Sequence, residues 1–238
     1  MTKITDDRGY NQIYAGAAST EVRMRRRARL LLSEMRRDGS VNILEIGCGT
    51  GEMAHWMAEQ TPATILGTDL CAPFVKSASD AFRRPNLRYE VLDFNKAEQF
   101  KGETFDYIVG NGILHHLYHH LDDALANMRT LLKDRGKIIF LEPNYLNPYI
   151  YFIFTYPWLR SMAKLEPDEM AFTKRFITEK LVLARFNEIH VDYRDFLLPG
   201  IPTFLVQPSV VAGNALEKLP PLNRLAQSIF IRASKGNA

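Results

Sequence analysis

The stretch Asn42 to Trp56, NILEIGCGTGEMAHW, sets glycines at 47, 49 and 51 between an apolar run and the start of an amphipathic segment. A run that ends in alternate glycines and resumes with helical spacing reads as strand, open turn and helix, the repeating unit of an α/β sheet. The turn is not a phosphate loop of either common kind. A dinucleotide fingerprint needs glycine at the sixth position from Gly47, where Glu52 stands, and a P-loop needs a Gly-Lys-Ser/Thr that does not follow. The loop admits a ligand close to the backbone without being shaped for pyrophosphate.

The same rhythm continues downstream. Apolar runs at Val41 to Ile46, Thr64 to Thr68, Leu87 to Leu92, Tyr107 to Gly110 and Lys137 to Leu141 predict five strands. Helical patterns begin at Met53 and Ala72, and one runs from Ile113 to Leu132. From Glu142 the pattern breaks into EPNYLNPYIYFIFTYPWLR, dense in aromatics and prolines, which reads as an insertion. A helix at about Thr178 to Phe186, a strand near Glu188 to Tyr193, a Pro-rich loop, a helix near Val211 to Leu219 and a strand at Ser228 to Ala233 follow. Ahead of the sheet, Glu21 to Arg37 predicts a helix. The 238 residues therefore divide into an N-terminal segment with a basic helix (1–40), a strand–helix core (41–143), an aromatic insertion (144–177) and a C-terminal part that continues the core (178–238).

Thirty basic against 27 acidic side chains leave +3, too balanced to mark a nucleic-acid binder. The two cysteines, Cys48 and Cys71, make no disulfide framework, and the N-terminus has no apolar signal region, so a cytoplasmic protein is expected. The longest apolar stretch, Pro148 to Leu159, is short of the roughly 17 to 25 residues of a membrane span.

The run LEIGCGTG, with acidic residues recurring after the next two strands, resembles the loop of the class I S-adenosylmethionine-dependent methyltransferases, and the resemblance covers about Asn42 to Leu141. It implies a Rossmann-like α/β fold: a seven-stranded, mostly parallel sheet with helices on both faces, here with an N-terminal helical lid and a cap after strand five. It implies S-adenosylmethionine as cofactor and S-adenosylhomocysteine as product. Glu45 would order the loop beside the ligand's ammonium, with Gly47, Gly49 and Gly51 giving backbone access. Asp69 in ILGTDL would accept the ribose hydroxyls, or cap the helix that follows. Asp93 in YEVLDFN would accept from the adenine amino group, or only punctuate its loop. Leu70, Phe94 and Asn111 complete the implied cofactor contacts. These acids stand at the carboxyl ends of successive strands, where open α/β sheets bind ligands.

Candidate catalytic groups lie past strands four and five: His115, in GILHHLYHH, and Glu142, in LEPN. Four of the six histidines fall within 115–120 at helical spacing. They read either as a metal pair or as packing and solvated residues. With no carboxylate in the run before Asp122, and with Gly112 and His115 where quinone-type relatives carry glutamates, no metal is expected. Nucleic acid is disfavoured as acceptor, since strand four ends Asn111-Gly112-Ile113-Leu114 rather than Asn/Asp-Pro-Pro-Tyr/Phe, and neither cysteine follows proline. The acceptor is expected to be a small, lipophilic or aromatic molecule held by Tyr14, His116, Tyr145, Tyr149, Phe152 and Trp158, with Phe154 beside them and Tyr10 in the lid. A carbohydrate or lipid-linked sugar acceptor, or a non-catalytic cofactor-binding partner, are the alternatives. Seven arginines between Glu21 and Arg37 read as a solvated face or as a contact for a peripheral membrane or lipid surface. Oligomeric state is not legible.

Overall fold

The computed structural model describes residues 3–4, 13–14, 18–198 and 200–236. A helix, α1 (Ala18–Leu32), precedes β1 (Asn42–Ile46), α2 (Glu52–Gln60), β2 (Thr64–Asp69), α3 (Ala72–Ala81), β3 (Leu87–Val91) and β4 (Phe105–Asn111). Then come a 3₁₀ segment, Leu114–His120, α4 (Leu121–Leu131) and β5 (Leu132–Pro143). The cap region holds α5 (Pro148–Thr155) and α6 (Pro157–Met162), and the chain closes with α7 (Lys174–Leu183), β6 (Asn187–Arg194), α8 (Thr203–Leu216) and β7 (Ser228–Ser234). The strands form one sheet in the order β3-β2-β1-β4-β5-β7-β6. The first five are parallel, and β7 slots between β5 and β6 antiparallel to both. The order reverses between β1 and β4, so the strand ends that carry Glu45 and Asn111 flank the switch point where ligands settle.

Alternation along the strands sorts the core into two layers. Ile43, Ile65, Val109 and Ile139 pack with α1 and α2 through Leu31, Leu32, Met53 and Met57. Leu44, Leu66, Ile108 and Ile138 face α4 and α7 through Leu125, Met128, Ile177 and Leu181. The central strands β1, β2, β4 and β5 are thus buried on both sides, as a parallel sheet requires, while the edge strands β3 and β6 are largely open.

Several elements differ from the sequence expectation, among them α7, which runs from Lys174 to Leu183 rather than from about Thr178 to Phe186. The helix expected from Ile113 to Leu132 is split, its first turn and a half being 3₁₀ with a non-helical Leu117, because a carboxylate from β5 engages the amides of residues 113–115. The stretch expected as a Pro-rich loop includes most of α8, which carries Pro208 inside it. And α1 ends at Leu32, five residues before Arg37. Ile13–Tyr14 pairs antiparallel with Lys3–Ile4; Tyr10 and the side chain of Tyr14 lie outside the described residues. No helix among the described residues is long and apolar enough to cross a membrane.

Candidate active site

The glycine loop leaves β1 with Gly47 at φ +64°, and a Cβ there would sit 2.6 Å from the Ile113 side chain. Gly51 has φ +86°, and its Cβ would meet Ala78 at 2.6 Å. Both positions therefore exclude a side chain on steric and conformational grounds. Asp69, at the end of β2, fastens the turn: Oδ2 accepts from Gly49 N and Oδ1 from Cys71 N, each at 2.9 Å. Burial, opposed by those two amides, raises its pKa. The helix-cap reading is not met, since Cys71 is the N-cap of α3; Asp69 instead ties the glycine loop to the residue that precedes the helix.

Glu45 is 2% exposed. The Ala54 backbone N–H is its hydrogen-bond partner and Oε2 has none. Burial first, then the charges of Glu52 and Asp69, push its pKa well above the ordinary carboxylate range. An acidic, unsatisfied lining suits a ligand with a cationic group and hydroxyls, and repels pyrophosphate. Asp93 accepts from Asn95 N at 3.0 Å, an Asx turn, and Phe94 is in the core, so only its backbone is available to a ligand. Leu70 is exposed beside Asp69. Asn111 turns toward α1, where its Oδ1 accepts from Arg27 Nη1 and its Nδ2 contacts Met24 Sδ at 3.5 Å.

Past β4 and β5 the structure assembles a buried acid–histidine cluster. Glu142 Oε1 accepts from Ile113 N and Leu114 N at 3.0 and 2.9 Å, and Oε2 accepts from His115 N at 3.3 Å and lies 2.9 Å from His115 Nδ1. The amides of the 3₁₀ segment thus hold Glu142 in place. On the other side of the histidines stand Glu166 and Glu169. His116 Nδ1 is 2.9 Å from Glu169 Oε1 and 3.6 Å from Glu166 Oε1, and His115 Nε2 is 3.9 Å from Glu169 Oε2. Burial alone would lower the His116 pKa, but hydrogen bonds and charges from Glu166 and Glu169 raise it to about 9. This corrects the sequence-based ground for expecting no metal: the missing carboxylates arrive from fifty residues downstream. Ligand atoms of His115, His116 and Glu169 lie within 4.8 Å of one another, a set that can hold a divalent ion. His119 and His120 are exposed, the 3₁₀ geometry having removed the i, i+4 stacking on which the metal-pair reading rested.

The arginine-rich helix is not simply a solvated face. Arg27 is buried, with Nε 2.8 Å from Asp195 Oδ2, Nη2 2.8 Å from Ser228 Oγ and Nη1 on Asn111. Arg23 donates to Gln227 Oε1 at 3.0 Å. These side chains, with Gly112, His115, Leu141 and Ile150, line a cavity of about 240 Å³ above the ends of β4, β5 and β7. A larger groove of about 620 Å³ runs between α4 and α7, but it is remote from the strand ends, and its Arg129 is engaged by the carbonyls of Arg185 and Lys235.

The cap supplies less wall than expected. Phe154 and Ile150 point inward, and the Phe154 ring stands edge-on to His115 at 5.9 Å between centroids. Tyr145 packs beside them. Tyr149, Phe152 and Trp158 are instead exposed, at 43%, 48% and 63%, because Asn144 and Asn147 pin the base of the cap to the carbonyls of Arg224, Leu225 and Ala226 and turn that face of α5 and α6 outward. Sequence reasoning missed Arg23, Arg27, Glu166, Glu169 and Asp195 as site residues; only their density of charge near aromatic or helical segments hinted at them.

The reversed strand order, the glycine turn and the acidic strand ends define a Rossmann-like domain that carries S-adenosylmethionine. Residues 44–138 match the family described as a methyltransferase domain, and that span is a class I S-adenosylmethionine-dependent methyltransferase domain. It is 31% identical over 138 residues to a malonyl-[acyl-carrier protein] O-methyltransferase of Halalkalibacterium halodurans, covering 54% of this chain and 49% of that one. Its fold matches a SAM-dependent methyltransferase from Archaeoglobus fulgidus with TM-score 0.62 at 17% identity, over 90% of this chain and 94% of the other. The CurJ carbon methyltransferase matches with TM-score 0.62 at 18% identity, over 94% and 57%. The chain spans about half or less of the length of the curated relatives it matches.

Proposed function

We propose that the chain transfers a methyl group from S-adenosylmethionine to a small acceptor whose reacting oxygen or carbon carries an ionisable proton. The observation that carries this reading is the buried His115–Glu142 pair at 2.9 Å, with His115 on the wall of the 240 Å³ cavity. That volume is below the roughly 300 to 1,000 Å³ of drug-sized sites, which suits a small acceptor. When bound, S-adenosylmethionine supplies an already activated methyl group on a sulfonium. The protein's part is alignment, exclusion of water and removal of a proton. Glu142 spends its oxygens on three amides and on His115 Nδ1, so it holds the ring rather than acting as base itself. With Nδ1–H donated to Glu142, Nε2 is the nitrogen left to take a proton. Leu141, Pro143, Ile150 and Met24 line the same cavity and suit an acceptor with an apolar body. An O-methyltransferase and a carbon methyltransferase among the similar proteins support oxygen or carbon as the methylated atom.

The test is transfer of labelled methyl to a panel of phenols, 1,3-dicarbonyl compounds, amines and sugars. Turnover on acidic O–H or C–H acceptors, lost in His115→Gln, is expected. Turnover confined to amines, or cofactor binding with no turnover on any acceptor, would overturn the reading, the latter in favour of a non-catalytic partner protein.

A further inference from the structure

The cavity wall formed by α1 carries more positive charge than the protein answers. Arg23 and Arg27 share one carboxylate, Asp195, whose Oδ2 is 2.8 Å from Arg27 but 3.7 Å from Arg23. Arg27 is satisfied by three partners on three elements. Arg23 has Gln227 on Nη2, while its Nε is buried with no hydrogen-bond partner. Burial first, then the Arg27 charge, pull the Arg23 pKa down to about 9, which leaves it charged at neutral pH. Tyr149, on α5, lies close enough to act on it electrostatically.

We propose that Arg23, flanked by Tyr149, receives an oxyanion of the acceptor, a carboxylate or a phosphate, and so orients the acceptor's other end toward His115. A guanidinium gives charge-assisted hydrogen bonds to such a group, and an incoming anion would add to the single carboxylate, Asp195, that Arg23 and Arg27 share. Arg27 acts as a positioning residue, since its donors are committed to Asn111, Asp195 and Ser228. The inference rests on the cavity being the acceptor site, and it narrows the acceptor class to molecules with an apolar body and one anionic end.

The experiment titrates the S-adenosylhomocysteine-loaded protein with malonate, glycerol 3-phosphate and the neutral isostere malonamide, in wild type, Arg23→Gln and Arg23→Lys. Binding is followed by calorimetry and by the arginine Nε–Hε resonances. One of the two anions is expected to bind and malonamide not to; the anion that binds identifies the source. Arg23→Gln should weaken that binding at least tenfold, and Arg23→Lys should restore part of it. Absence of binding by both anions, or binding unchanged in Arg23→Gln, would overturn the proposal. The same variants are titrated with S-adenosylhomocysteine and with methylthioadenosine, which lacks the amino-acid portion. If Arg23→Gln weakens only the former, the oxyanion belongs to the cofactor and the proposal fails. If wild type binds neither adenosine compound, the methyl-transfer reading fails by itself, while the anion titration of the unloaded protein still reports on Arg23.

Discussion

Glu142 Oε2 lies 2.9 Å from His115 Nδ1, and the same carboxylate accepts the amides of Ile113, Leu114 and His115. One buried acid on β5 therefore fixes both a ring and the backbone that carries it. For an acceptor that must lose a proton, His115→Gln should lower the rate by about 10² to 10⁴ while leaving cofactor affinity nearly unchanged. Glu142→Gln should fall short of that loss at high pH and also destabilise the fold, since its amide nitrogen would face backbone donors. Single-turnover rates across pH for both folded variants check this; wild-type rates at every pH would leave positioning alone.

Asp69 tests the cofactor side. Removing its carboxylate frees Gly49 N and, on the proposed ribose role, deletes a charged acceptor, so Asp69→Ala should cost about 1.5 to 3 kcal/mol of binding, roughly ten- to a hundred-fold. Calorimetry with S-adenosylhomocysteine measures it, and a nicotinamide dinucleotide should show no binding to wild type. Undiminished affinity in a folded Asp69→Ala protein would remove the ribose assignment.

His116 ties stability to pH. Its folded-state pKa is raised from 6.5 to about 9, so its contribution is fully present below the unfolded value and is lost as pH rises through about 9. A rise of this size corresponds to about 3 kcal/mol at most. Urea unfolding of wild type and His116→Gln at pH 6 and pH 9.5 should show a gap between the two that shrinks at the higher pH. A constant gap would dissolve the ion-pair assignment with Glu166 and Glu169.

The same protonation argues about metals. With its pKa raised to about 9, His116 carries a proton at neutral pH that a metal would have to displace before binding. Activity is therefore expected to survive a strong chelator. Loss of activity on chelation, restored by zinc or manganese, would instead make His115, His116 and Glu169 a metal site.

The sheet was legible because its signal is local. Each strand is an apolar run that ends at a glycine or an acid, and the order of Glu45, Asp69 and Asp93 along the chain already implies one crevice. What could not be read is what joins distant segments. Glu169 meets His116 from the far end of the insertion, and Asp195 meets Arg27 across 168 residues. A run of arginines has the same composition whether it faces water or folds two members inward, and only the antiparallel β7, bringing Ser228 and Gln227 beside α1, decides it. The aromatics of the cap failed as a guide for the same reason: apolarity marks Phe154 and Trp158 alike, and the asparagine anchors at 144 and 147 determine which one turns in.

Glu45 has a consequence for how the glycine loop meets its ligand. A carboxyl kept out of water, with one oxygen unanswered and Glu52 and Asp69 nearby, has its pKa held well above the ordinary range. A cation brought beside it would offset that cost, so this end of β1 selects for positive charge in a ligand more than for its shape.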